Sequence, residues 1–145
     1  FIISNGKPFI IELSARFHGD LGLSHNSYYR TGTSPAKIYY HTLATGKVPE
    51  NDLIELLQNE RISGWSVISL KPGEINNLDE AIGLARQEVQ VDNVFIDSRK
   101  GSNFKELKNN DDVNGFVWAS GKDIPNIDKR LDAFHTRLQE LVEYN

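Results

Sequence analysis

The sequence contains no cysteine and no methionine among its 145 residues. Without cysteine, neither a disulfide bond nor a thiolate metal site can form within the chain, which is compatible with a reducing compartment. Without methionine there is no initiator, and the chain opens on the apolar residues Phe1-Ile2-Ile3, which do not have a signal-peptide pattern. We expect Phe1 to be a cut inside a longer protein; the alternative is removal of an initiator, which usually leaves a small first residue.

Long apolar runs and an excess of basic charge are also missing. No apolar run reaches the length of about 18 residues that a membrane-spanning helix needs, so we expect no membrane span. Lys and Arg total 16 against 20 Asp and Glu, a formal net charge of −4, which argues against a nucleic-acid-binding face because such faces cluster basic residues. Hydrophobic residues make up 39% and charged residues 25% of the chain, which favours a folded globular protein over a disordered one.

The beginning of the chain predicts a β-hairpin. Two apolar runs, residues 1–4 and 8–13, flank Asn5-Gly6, a pair that tolerates the positive φ of a type I′ turn. Residues 17–33 follow; they are rich in Gly, Ser, Asn and aromatic residues and have no clear period. We expect a long loop there, and loops of that length in compact domains are usually functional or disordered.

Helices and strands alternate irregularly along the rest of the chain, which predicts an α+β or α/β class. Ser34 and Pro35 can begin a helix that Gly46 can end, and Asn51 can cap a second helix. A third helix is predicted after Asn77, whose spacing from Glu80 resembles a capping box. Strands are predicted over residues 65–70, 91–96 and 115–119. The last segment predicts one apolar helical face, formed by Ile127, Leu131, Phe134, Leu138 and Leu141.

The segment Ile11-Glu12-Leu13-Ser14-Ala15-Arg16 carries the first chemical signal. Because side chains alternate along a strand, Glu12, Ser14 and Arg16 share one face at steps of about 7 Å. A carboxylate beside a hydroxyl suits a hard cation such as Mg²⁺, and an Arg beside them suits a phosphate. From spacing alone, two interpretations stay open: a phosphate-handling face, or a solvated strand face with a Glu–Arg pair.

The longer stretch FIISNGKPFIIELSARFHGD resembles the end of the ATP-binding core of ATP-grasp ligases. That family has an acidic residue, a hairpin, the motif E-x-N-x-R, and often a Gly three residues after the Arg. Glu12 matches the bridging metal ligand, Arg16 the Arg that contacts the reacting phosphate, and Gly19 the later Gly. Ser14 stands where the family usually has Asn; its oxygen is on a shorter side chain, so Ser14 either completes the metal site or fails to.

The resemblance extends to the organisation of the whole chain. The family's second acidic metal ligand would fall immediately before Phe1, and its ATP-binding lysines and adenine pocket would lie further upstream. The later residues resemble the small C-terminal lobe of carboxylate–amine ligases, a branch that includes dipeptide ligases. The resemblance therefore implies the C-terminal part of an ATP-grasp fold: residues 1–60 as the end of the core and residues 61–145 as a small α+β lobe.

The activity that the resemblance implies is an ATP- and Mg- or Mn-dependent ligation. ATP would activate a small carboxylate as an acyl phosphate, and an amine would then displace phosphate. Arg16 would be catalytic, Glu12 and Ser14 would hold the metal, and the fragment alone would be inactive. We expect a cytoplasmic protein, with association through the truncated face or a homo-oligomer. The substrate-binding residues implied are His18, Gly19, Asp20 and Arg30.

Alternatives come from the same residues. The chain could be a non-catalytic α+β binding or interaction module with a ligase-like shape, an alternative that Ser14 keeps open. His18, Asp20 and His25 could form a metal cluster or make surface hydrogen bonds. Tyr28, Tyr29 and Arg30 could recognise a substrate or pack the loop. No serine has a partnership with His and an acid that would predict a hydrolase triad, and Trp65 and Trp118 are expected in the core.

Overall fold

The computed structural model describes residues 2–9, 21–58, 61–97, 102–109 and 112–145. It begins with a hairpin of β1 (Ile2–Ser4) and β2 (Lys7–Phe9), in which Ile2 lies opposite Phe9. Asn5 and Gly6 have φ angles of 52° and 72°, the left-handed region that a type I′ turn requires at both central residues. The predicted hairpin is therefore confirmed over the residues that are described.

Three helices follow: α1 (Leu21–Thr31), α2 (Pro35–Thr45) and α3 (Glu50–Gln58). The prediction of a loop is wrong over residues 21–31, which are helical. The predicted start and end of α2 are confirmed, because Pro35 is its first residue and Gly46 closes it in the left-handed region. The predicted cap at Asn51 is wrong, because α3 already begins one residue earlier and Asn51 lies inside it.

The second half of the chain is built on a three-stranded antiparallel sheet. Its strands are β3 (Ile62–Val67), β7 (Gly115–Gly121) and β5 (Asn93–Ile96), with β7 in the middle. Trp65 lies opposite Trp118 across the β3–β7 pair. None of these three strands contains an ionisable residue. A second sheet pairs β4 (Gly73–Glu74) with β6 (Asn103–Phe104).

Helices cover both faces of the three-stranded sheet. α1 packs on β3 and β7 from one side. From the other side α5 (Ile124–Leu141) packs on the same two strands and on α4 (Leu78–Val89). The predicted apolar face of α5 is confirmed, since its members at 127, 131, 134 and 138 are buried against Val117 and Ala119 of β7.

Asn77 directly precedes α4, yet its side chain does not cap that helix. Its Nδ2 donates to the Leu141 carbonyl and its Oδ1 accepts from the Glu143 amide, both at 2.9 Å. The predicted capping box is therefore wrong in its side-chain contacts. The Asn77 amide instead fastens the start of α4 to the end of α5, which is a contact between residues more than sixty positions apart.

Gly115 lies where the central sheet leaves no room for a side chain. A Cβ added there would overlap the Phe95 carbonyl oxygen and lie 2.8 Å from Ile96 Cδ1. We expect Gly115→Ala to lower the free energy of unfolding by about 1–3 kcal/mol or more, the range for overpacking. Gly83 on α4 is the matched control, because nothing lies within 4 Å of its added Cβ. Gly83→Ala should raise stability by about 0.5–1 kcal/mol, and urea unfolding of both variants measures the difference. Equal effects at the two sites would contradict this packing.

The fold class of the chain is α+β, as predicted. Among the residues that the structure describes, no helix is both long and apolar enough to cross a membrane. The boundary between residues 1–60 and 61–145 stays a prediction; α1 from the first range lies directly on β3 and β7 of the second.

Candidate functional site

Most of the predicted site falls between β2 and α1. Glu12, Ser14 and Arg16 lie in residues 10–20, outside the described residues, as do the predicted substrate contacts 18–20. Their roles therefore stay predictions. The elements on either side are described: β2 ends at Phe9 and α1 begins at Leu21. The candidate site is thus bounded by a hairpin and by a helix whose attachment can be followed in detail.

Two hydrogen bonds hold α1 against the edge strand β3. The Ser63 hydroxyl donates to the Asn26 carbonyl at 2.7 Å. The Nε of Arg30 donates to the Arg61 carbonyl at 3.0 Å. The two helix residues are four apart and so share one side of α1, which is the side that faces the sheet.

An aromatic cluster completes this attachment. The ring of His25 stands edge-on to Trp118, with centroids 5.2 Å apart and an interplanar angle of 86°. Tyr29, one turn later, lies 5.9 Å from the same indole. Trp118 is fully buried, so the prediction that it belongs to the core is confirmed. Such aromatic pairs contribute about 0.5–1.5 kcal/mol beyond the area they bury.

The end of α1 is closed by a buried threonine. The Thr31 hydroxyl donates to the Ser27 carbonyl at 2.8 Å and lies 3.0 Å from the Thr33 carbonyl. Gly32 follows with a φ of 76°, and its amide donates to the Tyr28 carbonyl at 2.7 Å. The positive φ suits glycine, and this contact ends the helix. α1 is therefore fixed at its C-terminal end as well as along its sheet-facing side.

Arg30 is the one predicted substrate-binding residue that the structure describes. It lies in the last turn of α1 and its side chain is exposed. Its Nε donates a hydrogen bond to the Arg61 carbonyl. Within the described ranges, neither of its two terminal nitrogens has a hydrogen-bond partner. A guanidinium held at Nε can offer those terminal nitrogens to a carboxylate or a phosphate. Whether it does so stays a prediction.

His25 was one member of the alternative metal cluster with His18 and Asp20. Over the ranges that the structure describes, no group of three His, Asp or Glu side chains is arranged to hold a metal ion. His18 and Asp20 themselves lie outside those ranges. The His25 ring packs on Trp118, which favours a packing role for this histidine.

Sequence reasoning missed a close pair formed by Ser66 of β3 and His135 of α5. Ser66 Oγ and His135 Nε2 are 2.6 Å apart in a half-buried position. A hydrolase triad would also need an acid on His135 Nδ1, and no described residue forms that hydrogen bond. The alternation of side chains along β3 puts Ser66 on the same face as Gly64. Its partner His135, however, is 69 positions away in the sequence. No local pattern signals such a pair.

The described elements form an α+β fold that is similar to one part of a solved ligase structure. The crystal structure of an L-amino acid ligase from Bacillus licheniformis superposes on the chain with a TM-score of 0.62 and 19% sequence identity. The match covers 97% of this chain and 35% of that ligase, so the chain spans about a third of its length. At this identity the likeness shows the fold. No protein-family profile and no curated protein sequence matches the chain.

Proposed function

We propose that this chain is the C-terminal part of an ATP-grasp ligase that joins a small carboxylate to an amine. The observation that carries the proposal is the likeness in fold over 97% of the chain to an L-amino acid ligase. The E-x-S-x-R motif of Glu12, Ser14 and Arg16 supports it independently of the fold, because it resembles the E-x-N-x-R motif of that family. The full activity would need the upstream nucleotide-binding region, and this chain alone would be inactive.

Each residue of the motif has a distinct role in this proposal. The Glu12 carboxylate and the Ser14 hydroxyl would hold Mg²⁺ or Mn²⁺, which prefer oxygen ligands. The metal, when bound, neutralises charge on the phosphates of ATP. Arg16 would bind the transferring phosphoryl group through its guanidinium and stabilise the charge that builds up during transfer. The products of the first step are ADP and an acyl phosphate, from which the amine then displaces phosphate.

The substrates would be held by residues that precede α1 and by one residue in its last turn. His18, Gly19 and Asp20 precede the helix, and Arg30 lies in its last turn. Because α1 is fastened to β3 through Ser63 and Arg61, a substrate bound there would be positioned by a rigid element. Rigid support of this kind is what precise alignment of reacting groups requires.

The surface of α2 supports association with the rest of such a ligase or with a second copy. The helix has no buried residue. Three of its large side chains are exposed: Tyr39 at 41%, Tyr40 at 66% and Leu43 at 64%. Contiguous exposed apolar residues are typical of interaction surfaces.

Cytoplasmic location belongs to the same proposal, since the reaction consumes ATP.

The test is ATP-dependent phosphate release by the natural full-length polypeptide that contains this chain. Release should require Mg²⁺ together with a carboxylate and an amine, with mixtures of L-amino acids as the first substrates. Glu12→Gln should reduce the rate by about 10²-fold or more, because it removes a charged metal ligand. The control is Lys7→Gln, an exposed residue of the same hairpin, which should leave the rate unchanged. Equal activity of wild type and Glu12→Gln would remove Glu12 from the metal site.

A non-catalytic binding module is the second candidate, favoured by Ser14 in place of the usual Asn. A serine oxygen reaches less far, so a metal at this position would be bound more weakly. Ser14→Asn separates the two candidates: in a ligase it should lower the Mg²⁺ concentration needed for half-maximal activity. If neither wild type nor Ser14→Asn releases phosphate from ATP with any amino acid pair, the ligase proposal fails and the binding module takes its place.

A further inference from the structure

The sequence contains two Asn-Gly pairs, Asn5-Gly6 and Asn114-Gly115. Such pairs are prone to lose ammonia from the asparagine side chain, because glycine has no Cβ to shield its main-chain nitrogen from the neighbouring Asn side chain. Asparagine is accordingly counted among the thermolabile residues of proteins. Since the two pairs have the same chemistry, their different positions in the fold decide which of them can react.

Asn5-Gly6 lies at the exposed tip of the hairpin formed by β1 and β2. The paired residues Ser4 and Lys7 close the turn, so the Gly6 amide lies beyond the β-ladder. Among the described residues, neither the Gly6 N–H nor the Asn5 side-chain amide has a hydrogen-bond partner. The Gly6 nitrogen and the Asn5 Cγ are therefore accessible to water, and no contact with a described residue keeps them apart.

Asn114-Gly115 is held in place by the central sheet. Asn114 is only 3% exposed, and its Nδ2 donates to the Asn103 carbonyl at 3.4 Å. The Asn114 main-chain carbonyl accepts from the Asp97 amide at 2.7 Å, and the Gly115 carbonyl accepts from the Ile68 amide at 2.9 Å. An attack by the Gly115 nitrogen on the Asn114 side chain would rotate the main chain between these contacts and break the pairing of β7 with its neighbours.

We propose that Asn5 is a site of spontaneous deamidation and that the central sheet protects Asn114 from the same reaction. The Gly6 main-chain nitrogen, after losing its proton to water, attacks Asn5 Cγ; a C–N bond forms, the Cγ–Nδ2 bond breaks, and Nδ2 takes up a proton and leaves as ammonia. Water then opens the cyclic succinimide at either of its carbonyl carbons, which gives aspartate or isoaspartate. The net reaction converts an amide and water into a carboxylate and ammonium, with no change of oxidation state. It goes beyond the proposed ligase activity and does not depend on it.

Ring closure requires the turn to open, because the main chain between Asn5 and Gly6 must rotate out of the left-handed conformation of the turn. At the tip of a hairpin this breaks contacts at one end of the ladder, whereas around Gly115 it breaks contacts on both sides of the middle strand. Free energies of local opening range from near zero at fraying ends to the global free energy of unfolding in core strands. We therefore expect Asn5 to reach the reactive conformation much more often than Asn114.

The test follows both asparagines in the natural full-length polypeptide that contains this chain, kept in mildly alkaline buffer. Proteolytic digestion and mass spectrometry measure the fraction of each site that is converted over time. In the folded protein, conversion at Asn5 should be at least about tenfold faster than at Asn114, a ratio that corresponds to about 1.4 kcal/mol in opening free energy. In urea the two rates should become similar, since both pairs are then unprotected. Conversion of Asn5 in the folded protein that is absent, or no faster than that of Asn114, would overturn the proposal.

The products identify the route of the reaction. Opening of a succinimide should give isoaspartate together with aspartate, and isoaspartyl methyltransferase labels only isoaspartate. The hairpin peptide of the aged protein should therefore accept the methyl label, whereas the same peptide from fresh protein should not. Asn5→Gly is the control, because Gly-Gly also supports a type I′ turn and leaves no amide to react. Conversion of Asn5 to aspartate alone would mean direct hydrolysis and would refute the role of the Gly6 nitrogen.

Discussion

Arg16→Ala is expected to abolish ATP-dependent turnover in the full-length ligase that we propose. The phosphoryl group in flight carries negative charge that must be neutralised where it develops, and a guanidinium does so with two hydrogen-bond donors in a fixed fork. Loss of one such donor group typically reduces kcat by about 10²- to 10³-fold. Arg16 also brings a full positive charge, so the expected loss is at the upper end of that range or beyond it. Steady-state phosphate release measures it directly.

Two further variants make the Arg16 result specific. Arg16→Lys keeps the charge but loses the fork, so it should recover only part of the activity. Arg86→Ala is the matched control, because Arg86 is exposed on α4 and its guanidinium donates to the Asp92 carbonyl. The control should turn over at the wild-type rate. Full turnover by Arg16→Ala would mean that Arg16 takes no part in the reaction, and the match between this motif and the ligase motif would lose its main support.

Leu138→Ala is expected to cause a large loss of stability in the packing of α5 on the central sheet. Leu138 is fully buried in the core between α5 and the central sheet. Removing a buried leucine side chain costs the lost burial and leaves a cavity, together about 2–5 kcal/mol. Urea unfolding at neutral pH measures this cost.

Leu84 supplies the comparison for this substitution. It lies on α4 and is 40% exposed, so Leu84→Ala removes the same atoms from a partly hydrated site. Its effect should stay within about 1 kcal/mol, close to the usual range for surface positions. Equal losses at Leu84 and Leu138 would mean that the apolar face of α5 does not form the core as described.

Elements with strong local signals could be predicted from the sequence. Asn5-Gly6 predicts its turn because both residues adopt positive φ with little strain, and the structure has both in that region. The apolar repeat on α5 predicts a helix and its buried side together. Each of these signals lies within a few neighbouring residues and is not overridden by distant contacts, whereas the capping signal at Asn77 is overridden by contacts with Leu141 and Glu143.

α1 could not be predicted in this way, because its sheet-facing side is not aliphatic. It presents His25, Asn26, Tyr29 and Arg30, a mixture of polar and aromatic residues that has no hydrophobic period. The partners that make this mixture stable are Trp118 and two groups on β3 and just before it, all far away in the sequence. The helix therefore depends on tertiary contacts that a local pattern does not contain.

The candidate site, too, could be predicted only in part from the sequence. Glu12, Ser14 and Arg16 were recognised from spacing and family resemblance, and their roles still rest on that resemblance. The attachment of Arg30 to the Arg61 carbonyl and the pairing of Ser66 with His135 came from the structure alone. Both contacts link residues at least thirty positions apart, where spacing carries no information.

The ends of the segment from Glu74 to Asn145 lie side by side. The Asn76 amide donates to the Glu143 carbonyl at 2.9 Å, and the Asn145 amide donates to the Glu74 carbonyl at 3.0 Å. The chain therefore enters and leaves this segment at nearly the same point. Segments with adjacent ends can be inserted into a host protein, or permuted circularly, without displacing the chain on either side. Here, however, β7 of the segment pairs with β3, which lies outside it, so adjacent ends alone do not make the segment independent of the rest of the chain.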